Sequence, residues 1–305
     1  MRVRTMGLLS MLMLLLAACG GQTAAPTKPA ATVASPAATV APPAATVAPP
    51  AATVAPPAAT QTPAATLDDT GTLRWSLEGV SDLTSIDPAK PGDAPTITVI
   101  NNVFGGLVKL NEKLEVVPDG ASSWGVSADG KTYTFTIREG LSFANGVSVT
   151  ADDFVYSINR ALSPATASYG APFQLSHIVG AKDVVDGKAK TASGIKASDP
   201  RTLEITLDAP LAYFLAQLTF PYTYVVPKAL VESGANWEEK AYGTGPFTVA
   251  EWKHGQSIKL VPNERYWNGK PGIAGILHTF NKDSETAYQL YQTGELDIMG
   301  SQQNP

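Results

Sequence analysis

The fold of this chain is decided by residues 124–138, which read Trp-Gly-Val-Ser-Ala-Asp-Gly-Lys-Thr-Tyr-Thr-Phe-Thr-Ile-Arg. The pair Asp129-Gly130 is a strong signal for a tight hairpin turn. After this turn, Tyr133, Phe135 and Ile137 alternate with threonines. Side chains of a strand point alternately to its two faces, so the pattern predicts a strand with one buried face and one wetted face.

A helix is predicted directly downstream of this hairpin. Thr150 is placed to cap it, with Asp152 and Asp153 in the first turn, near the positive end of the helix dipole. Pro164 ends the helix. The buried stripe recurs every three or four residues and consists of Phe154, Val155, Ile158 and Leu162.

Strands and helices follow one another without regular alternation, which favours an α+β fold or a mixed sheet. In the last predicted helix, which begins at Asp283 or Ser284, the residues Ala287, Leu290 and Tyr291 are expected to point inward. The other predicted elements are strands at 72–77 and 203–207, a short helix at 211–218, a hairpin of 247–252 with 257–261, and the last helix from Asp283 or Ser284 to Gly294.

Charge and aromatic content divide the chain near residue 67. No Asp or Glu precedes Asp68, and no aromatic residue precedes Trp75. Residues 67–305 contain 19 basic and 27 acidic residues, a formal net charge of −8, and are long enough to bury a sizeable core. An acidic body without a basic run argues against nucleic acid as a partner.

Residues 1–18 have the pattern of an export signal, with Arg2 and Arg4 before an apolar run that is too short to span a bilayer. The sequence Leu16-Ala17-Ala18-Cys19 resembles the lipobox of bacterial lipoproteins, in which the cysteine carries the lipid. Because several acyl chains together anchor a protein stably, Cys19 is predicted to be a lipid anchor. The alternative is an ordinary signal peptide followed by an accidental cysteine.

Residues 19–66 are predicted to be a disordered linker that starts at the lipidated cysteine. Ala-Ala-Thr-Val recurs at 30, 37, 44 and 51, and prolines between the repeats exclude a helix. Such a segment favours extended polyproline II and has little apolar bulk to bury. It is interpreted as a spacer, with a proline-rich ligand for a partner domain as the alternative, and its composition permits O-glycosylation.

No catalytic or metal-binding constellation stands out. The chain has one cysteine, which excludes an internal disulfide framework, and no phosphate-binding loop, zinc-protease or serine-hydrolase motif. His177, His254 and His278 are far apart and lack a partner at metal-ligand spacing. The sequence therefore predicts neither an enzyme nor a cofactor or metal site.

Residues 124–138 resemble the signature of the extracytoplasmic peptide-binding proteins of ABC importers (solute-binding protein family 5), and the resemblance runs from about residue 72 to 300. It is specific for the family and weakly specific for the ligand, since relatives bind peptides, nickel complexes, haem, opines or oligosaccharides. The other matching segments are Leu83–Pro88, Phe143–Ser157, His177–Gly180, Leu203–Leu207, Gly243–Phe247, Asn263–Trp267 and Gly294–Ile298.

The resemblance implies an α+β, two-lobed, periplasmic-binding-protein type II fold that closes on ligand. The first lobe is expected at 67–104 and 228–270, with 105–227 as an inserted subdomain. Residues 271–305 are expected to begin a second lobe that is largely absent, so the chain is interpreted as truncated. Weak ligand binding by residues 67–305 alone is then expected.

The resemblance also implies the ligand-binding residues. Members of the family hold a peptide extended, partly as an added strand, through main-chain hydrogen bonds. The segment Gly92-Asp93-Ala94 is expected to offer main-chain partners, and Tyr169 to line the site. Thr244, beside Gly245, stands where a relative has Asn. Threonine keeps a hydroxyl but lacks the amide, so whether this residue bonds the ligand is left open. For Gly243 and Gly245 the main role expected is turn geometry.

The sequence thus predicts a monomeric, lipid-anchored extracytoplasmic binding protein that captures peptides and delivers them to an ABC permease. One alternative is a binding protein of the same family for a non-peptide solute such as a nickel chelate or an oligosaccharide. Two others are a secreted hydrolase on a stalk and a surface sensor.

Overall fold

The computed structural model describes residues 71–234 and 236–300. The strands are β1 (Thr72–Glu78), β2 (Val108–Leu110), β3 (Val116–Pro118), β4 (Ala121–Val126), β5 (Thr132–Ile137), β6 (Ile195–Asp199), β7 (Thr202–Thr206), β8 (Phe247–Lys253), β9 (Ser257–Pro262) and β10 (Gly275–Asn281). The α-helices are α1 (Ala94–Val103), α2 (Ala151–Leu162), α3 (Ala171–Gln174), α4 (Ala181–Val185), α5 (Phe214–Gln217), α6 (Lys228–Val231) and α7 (Ser284–Gln292).

One four-stranded sheet, here called sheet A, has the order β1-β10-β9-β8. Its central strand β10 pairs parallel with β1 and antiparallel with β9. The predicted lobe boundary at residue 271 assigned this strand to a second lobe, but the pairing makes it part of the same sheet as β1. Its alternate residues Ile276 and Phe280 are buried in the core beneath that sheet, which is why it belongs there.

A second four-stranded sheet, sheet B, is antiparallel with the order β4-β5-β7-β6. The predicted hairpin is confirmed, because β4 pairs with β5 around the turn and Trp124 lies opposite Phe135. Tyr133, Phe135 and Ile137 are buried while the threonines between them are half-buried. Strands β2 and β3 form a separate short pair.

The predicted start of α2 is also confirmed. The Asp153 carboxylate accepts a hydrogen bond of 2.8 Å from the backbone N–H of Thr150, the residue at the helix N-cap. This bond satisfies a donor that the helix itself leaves free. The buried side of α2 includes Phe154, Ile158 and Leu162 and packs on sheet B.

Two hydrophobic cores lie under the two sheets. The sheet A core is built from β1, α1 and β8 to β10 and includes Leu77, Phe104 and Leu260. The sheet B core is built from sheet B, α2 and the segments between them and includes Phe135 and Phe154. The chain passes between the cores near residues 104–107 and again near 224–226.

Three details differ from the sequence prediction. Helix α1 was not predicted, because its run of Thr, Ile and Val residues is typical of a strand. Helix α5 covers only four residues of the expected 211–218. Tyr291 is exposed on α7, whereas Ala287 is fully buried.

The predicted signal peptide (1–18), the lipid anchor Cys19 and the linker (19–66) lie outside the described residues. Within 71–234 and 236–300, the helices include none that is both long and apolar enough to cross a membrane.

Candidate functional site

A cavity of about 340 Å³ opens beside the end of α1, near the place where the chain passes from one core to the other. Phe104 and Gly105 form one wall, and Gly245 and Pro246 form another. The remaining lining is mainly polar and consists of Asn101, Lys109, Asp119, Thr219, Tyr224, Thr244 and Tyr266, together with Leu110. A pocket with several convergent polar groups is the default location of a ligand site.

Close backbone packing sets the wall that contains Thr244. The N–H of Gly245 donates a 3.0 Å hydrogen bond to the carbonyl of Val103 at the end of α1. A Cβ on Gly245 would lie 2.6 Å from the carbonyl carbon of Val103, and one on Gly243 would lie 2.4 Å from the Val103 oxygen. Only glycine allows this approach, so both glycines are required by contact with α1, and neither has a positive φ.

Two members of a charged network, Asp119 and Lys109, line the cavity and are here called its charged floor. The Trp267 indole Nε1 donates to Asp119 Oδ1 at 3.1 Å, and Lys109 Nζ lies 3.7 Å from the same oxygen. The Arg138 guanidinium stacks 3.7 Å from the centre of the Trp267 ring and donates through Nε to the Asp119 carbonyl. Burial raises the pKa of the Asp119 carboxyl, against the opposing effects of Lys109 and Trp267.

Two tyrosines complete the polar lining. The Tyr224 hydroxyl lies 3.0 Å from both Asn101 Oδ1 and the Thr219 carbonyl, so its single proton has two acceptors. Burial raises the pKa of both Tyr224 and Tyr266 well above the usual value. Both hydroxyls are therefore neutral at physiological pH and act as hydrogen-bonding groups.

Two of the six predicted ligand-binding residues, Thr244 and Gly245, line this cavity. Gly92, Asp93 and Ala94 lie at the start of α1, away from it. The Asp93 carboxylate caps that helix by accepting from the Thr96 N–H at 2.7 Å, and the Asp93 carbonyl accepts from Ile97. The Asp93 side chain is thus engaged in the helix cap.

Tyr169 is 97% exposed, in the segment before α3. The adjacent Gly170 packs so closely on Tyr222 that a Cβ there would lie 2.4 Å from the ring carbon bearing the hydroxyl. Tyr169 is therefore held at the surface beside a second tyrosine, with its ring free of packing among the described residues. It does not line the cavity.

The histidines do not assemble a reactive centre. His177 Nδ1 lies 3.0 Å from Asp208, His254 Nδ1 lies 2.9 Å from Asp82, and His278 is fully buried elsewhere. Among residues 71–234 and 236–300, no group of three or more His, Cys, Asp or Glu side chains is arranged to hold a metal ion.

With the fold and the cavity described, comparison with known families gives the class of the chain. The chain belongs to the bacterial extracellular solute-binding proteins, family 5 Middle, whose model matches residues 115–305. The resemblance inferred from the sequence is therefore confirmed, as is the α+β fold of the periplasmic-binding-protein type.

Curated relatives include peptide-binding proteins. The chain is 39% identical over 223 residues to the periplasmic murein peptide-binding protein MppA of Escherichia coli K12, covering 71% of this chain and 41% of the relative. It is 36% identical over 219 residues to the dipeptide-binding protein DppE of Bacillus subtilis 168, covering 70% and 40% respectively. The chain thus spans about two fifths of the length of these relatives.

Solved structures show the same similarity. The unliganded open form of MppA, a periplasmic murein tripeptide-binding protein, matches with a TM-score of 0.71 and 36% identity over 76% of this chain and 46% of that one. Haemophilus influenzae OppA in complex with the peptide RPPGFSPFR matches with a TM-score of 0.69 and 29% identity over 75% and 46%. These are members of a family of solute-binding proteins and not of enzymes.

Sequence reasoning missed the charged floor of the cavity. Asp119 and Trp267 are separated by 148 positions, and no local pattern links them. The sequence does show a lysine in a short strand, Lys109, and an arginine directly after β5, Arg138. Only the fold brings these two residues close to Asp119.

Proposed function

We propose that this protein captures peptides outside the cytoplasmic membrane and delivers them to an ABC permease. The observation that carries this proposal is the similarity of the body of the chain to peptide-binding proteins, at 39% and 36% identity. It binds its ligand without chemical change. In this proposal 105–227 is a subdomain inserted into the first lobe, as expected for the family.

The ligand-binding residues proposed are Gly92, Asp93, Ala94, Tyr169, Thr244 and Gly245. The exposed ring of Tyr169 supports this assignment, since an unpacked aromatic surface is suited to cover a ligand. The position of Thr244 and Gly245 in the wall of a polar cavity supports it as well. Main-chain contacts would hold a peptide irrespective of its sequence, and hydrated pockets would accept its side chains.

Ligand-observed NMR on the chain tests this proposal, because the method detects weak binding. We expect a mixture of short peptides to give saturation-transfer signals that weaken in the Tyr169→Ala and Thr244→Ala variants. The matched control is Tyr213→Ala, which removes an exposed tyrosine outside the proposed site. Peptide signals that are absent, or unchanged in all three variants, would contradict the proposal.

A non-peptide solute is the second candidate, and one relative favours it. The chain is 33% identical over 224 residues to a probable deoxycholate-binding periplasmic protein, YgiS, of Escherichia coli K12. Including deoxycholate in the same NMR mixture separates the two candidates. A deoxycholate signal that displaces the peptides would establish the second function in place of the first.

We also propose that Cys19 is lipidated and that residues 19–66 tether the binding body to the membrane. The position of the chain's single cysteine directly after a signal-like segment supports this. Cell fractionation tests it. We expect the chain in the membrane fraction and the Cys19→Ser variant outside it; equal distribution of both would contradict lipid anchoring.

A further inference from the structure

The cavity contains one cation among its lining residues, Lys109 on β2. Lys109 lines the cavity, and its side chain is 37% exposed. Its distance of 3.7 Å from Asp119 is longer than a direct hydrogen bond, since such bonds measure about 2.7–3.2 Å. An ammonium group has three donors, and the carboxylate occupies none of them at hydrogen-bond distance.

Positive charge exceeds negative charge around this lysine. The Arg138 guanidinium and Lys109 Nζ lie 3.7 Å and 5.0 Å from the centre of the Trp267 ring, and both are close to the single carboxylate of Asp119. That carboxylate already accepts a hydrogen bond from the Trp267 indole. The local excess is notable in a body whose formal charge is −8.

We propose that the cavity binds a carboxylate of the ligand, with Lys109 Nζ as its charged donor. This inference rests on the proposed peptide-binding function and adds a preference to it. Thr244 lies in the wall of the same cavity, so a peptide held at Thr244 has one side chain or its C-terminus within reach of Lys109. A volume of about 340 Å³ is sufficient for such a group and for bridging water.

Defined tripeptides distinguish the two sources of a carboxylate. Dissociation constants for the chain are measured by NMR titration with Ala-Glu-Ala, with Ala-Gln-Ala and with C-terminally amidated Ala-Gln-Ala. A charge-assisted hydrogen bond in a semi-enclosed site corresponds to a preference of about tenfold. We expect Ala-Glu-Ala to bind about tenfold more tightly than Ala-Gln-Ala if a side chain enters the cavity, or amidation to weaken binding tenfold if the C-terminus does.

Variants assign this preference to the lysine. Lys109→Gln should abolish the preference, and Lys109→Arg should restore it. The matched control is Lys113→Gln, which removes the same charge from the exposed loop between β2 and β3. Circular dichroism confirms that each variant is folded.

The outcomes separate this inference from the proposed function. If peptides bind but the preference is absent, or persists in Lys109→Gln, the carboxylate site is wrong and peptide binding stands. Tighter binding of Ala-Lys-Ala than of Ala-Glu-Ala would also overturn it, since Asp119 would then be the recognising group. Absence of binding by every peptide overturns both.

Discussion

His278 lies in the middle of β10 with its imidazole fully buried. Both ring nitrogens lack a hydrogen-bond partner within the described part of the chain. Its neighbours on the adjacent strands, Trp75 and Ile258, are uncharged, and burial lowers its pKa to about 4. The folded protein therefore holds this histidine in its neutral form.

We expect this residue to make stability depend on pH. His278 binds a proton near pH 6.5 in the unfolded state and only near pH 4 in the folded state. Its contribution to the free energy of unfolding is therefore fully present above pH 6.5 and is lost as the pH falls towards 4. The loss is on the order of 3 kcal/mol. Urea unfolding at several pH values should show a smaller loss in His278→Leu, and an unaltered loss in the control His177→Leu. Equal pH dependence in His278→Leu and in the unmodified chain would contradict this prediction.

Gly245 is a second residue whose role can be measured. In Gly245→Ala the new Cβ meets the backbone of Val103 at 2.6 Å, so the wall of the cavity must shift. Overpacking of this kind destabilises by about 1–3 kcal/mol. The control Gly125→Ala places a Cβ in open space on a strand. Equal urea midpoints for the two variants would show that the close approach is unimportant.

Single residues also show how far sequence reasoning extends. Tyr133 and Phe135 were correctly assigned to a buried face, because a period of two is visible in the sequence itself. Thr244 and Gly245 were selected by family resemblance and do line the cavity. Lys109 and Asp119 were not selected, because their meeting depends on the positions of two strands and a distant tryptophan.

Among the elements, α1 and α2 show why helix prediction succeeded once and failed once. Helix α2 has an amphipathic stripe and a capping residue, and both signals agree. Helix α1 has a capping residue, Asp93, and a proline in its first turn, but its β-branched run resembles a strand. Packing of α1 in the sheet A core overrides that local preference.

The cap of α2 can be separated from its dipole interaction. Asp152 and Asp153 both lie in the first turn, but only Asp153 bonds the N–H of Thr150. Loss of such a cap costs about 1 kcal/mol. We expect Asp153→Ala to be less stable than Asp152→Ala by this amount in thermal or urea unfolding. Two equally stable variants would contradict a role for the cap.

At the scale of the whole molecule, a buried ion pair joins the two cores. Arg160 on α2 donates from Nη1 to Asp87 Oδ1 at 2.9 Å, and the Asp87 side chain is only 1% exposed. Ile86 belongs to the sheet A core, while Ala89 belongs to the sheet B core. The pair therefore lies at the boundary between them.

Removing one partner should be costly. Arg160→Met leaves the buried Asp87 carboxylate without its cation, which typically destabilises by about 3–5 kcal/mol. Asp87→Asn in the Arg160→Met background should recover part of the loss, since the amide is neutral. The control Arg201→Met breaks an exposed pair with Glu139 and should cost less than about 1 kcal/mol. Similar losses in the two arginine variants would contradict this role.

The parallel pairing of β1 with β10 has a consequence for the order of folding. The paired residues Thr72 and Gly275 are 203 positions apart, whereas the widest separation within sheet B, between Thr132 on β5 and Thr206 on β7, is 74 positions. Closing so long a loop is entropically unfavourable and slow. During synthesis, sheet B has all its strands once residue 206 has emerged, while β1 must wait for β10. Strand β1, the first described strand to leave the ribosome, is thus among the last to find its partner.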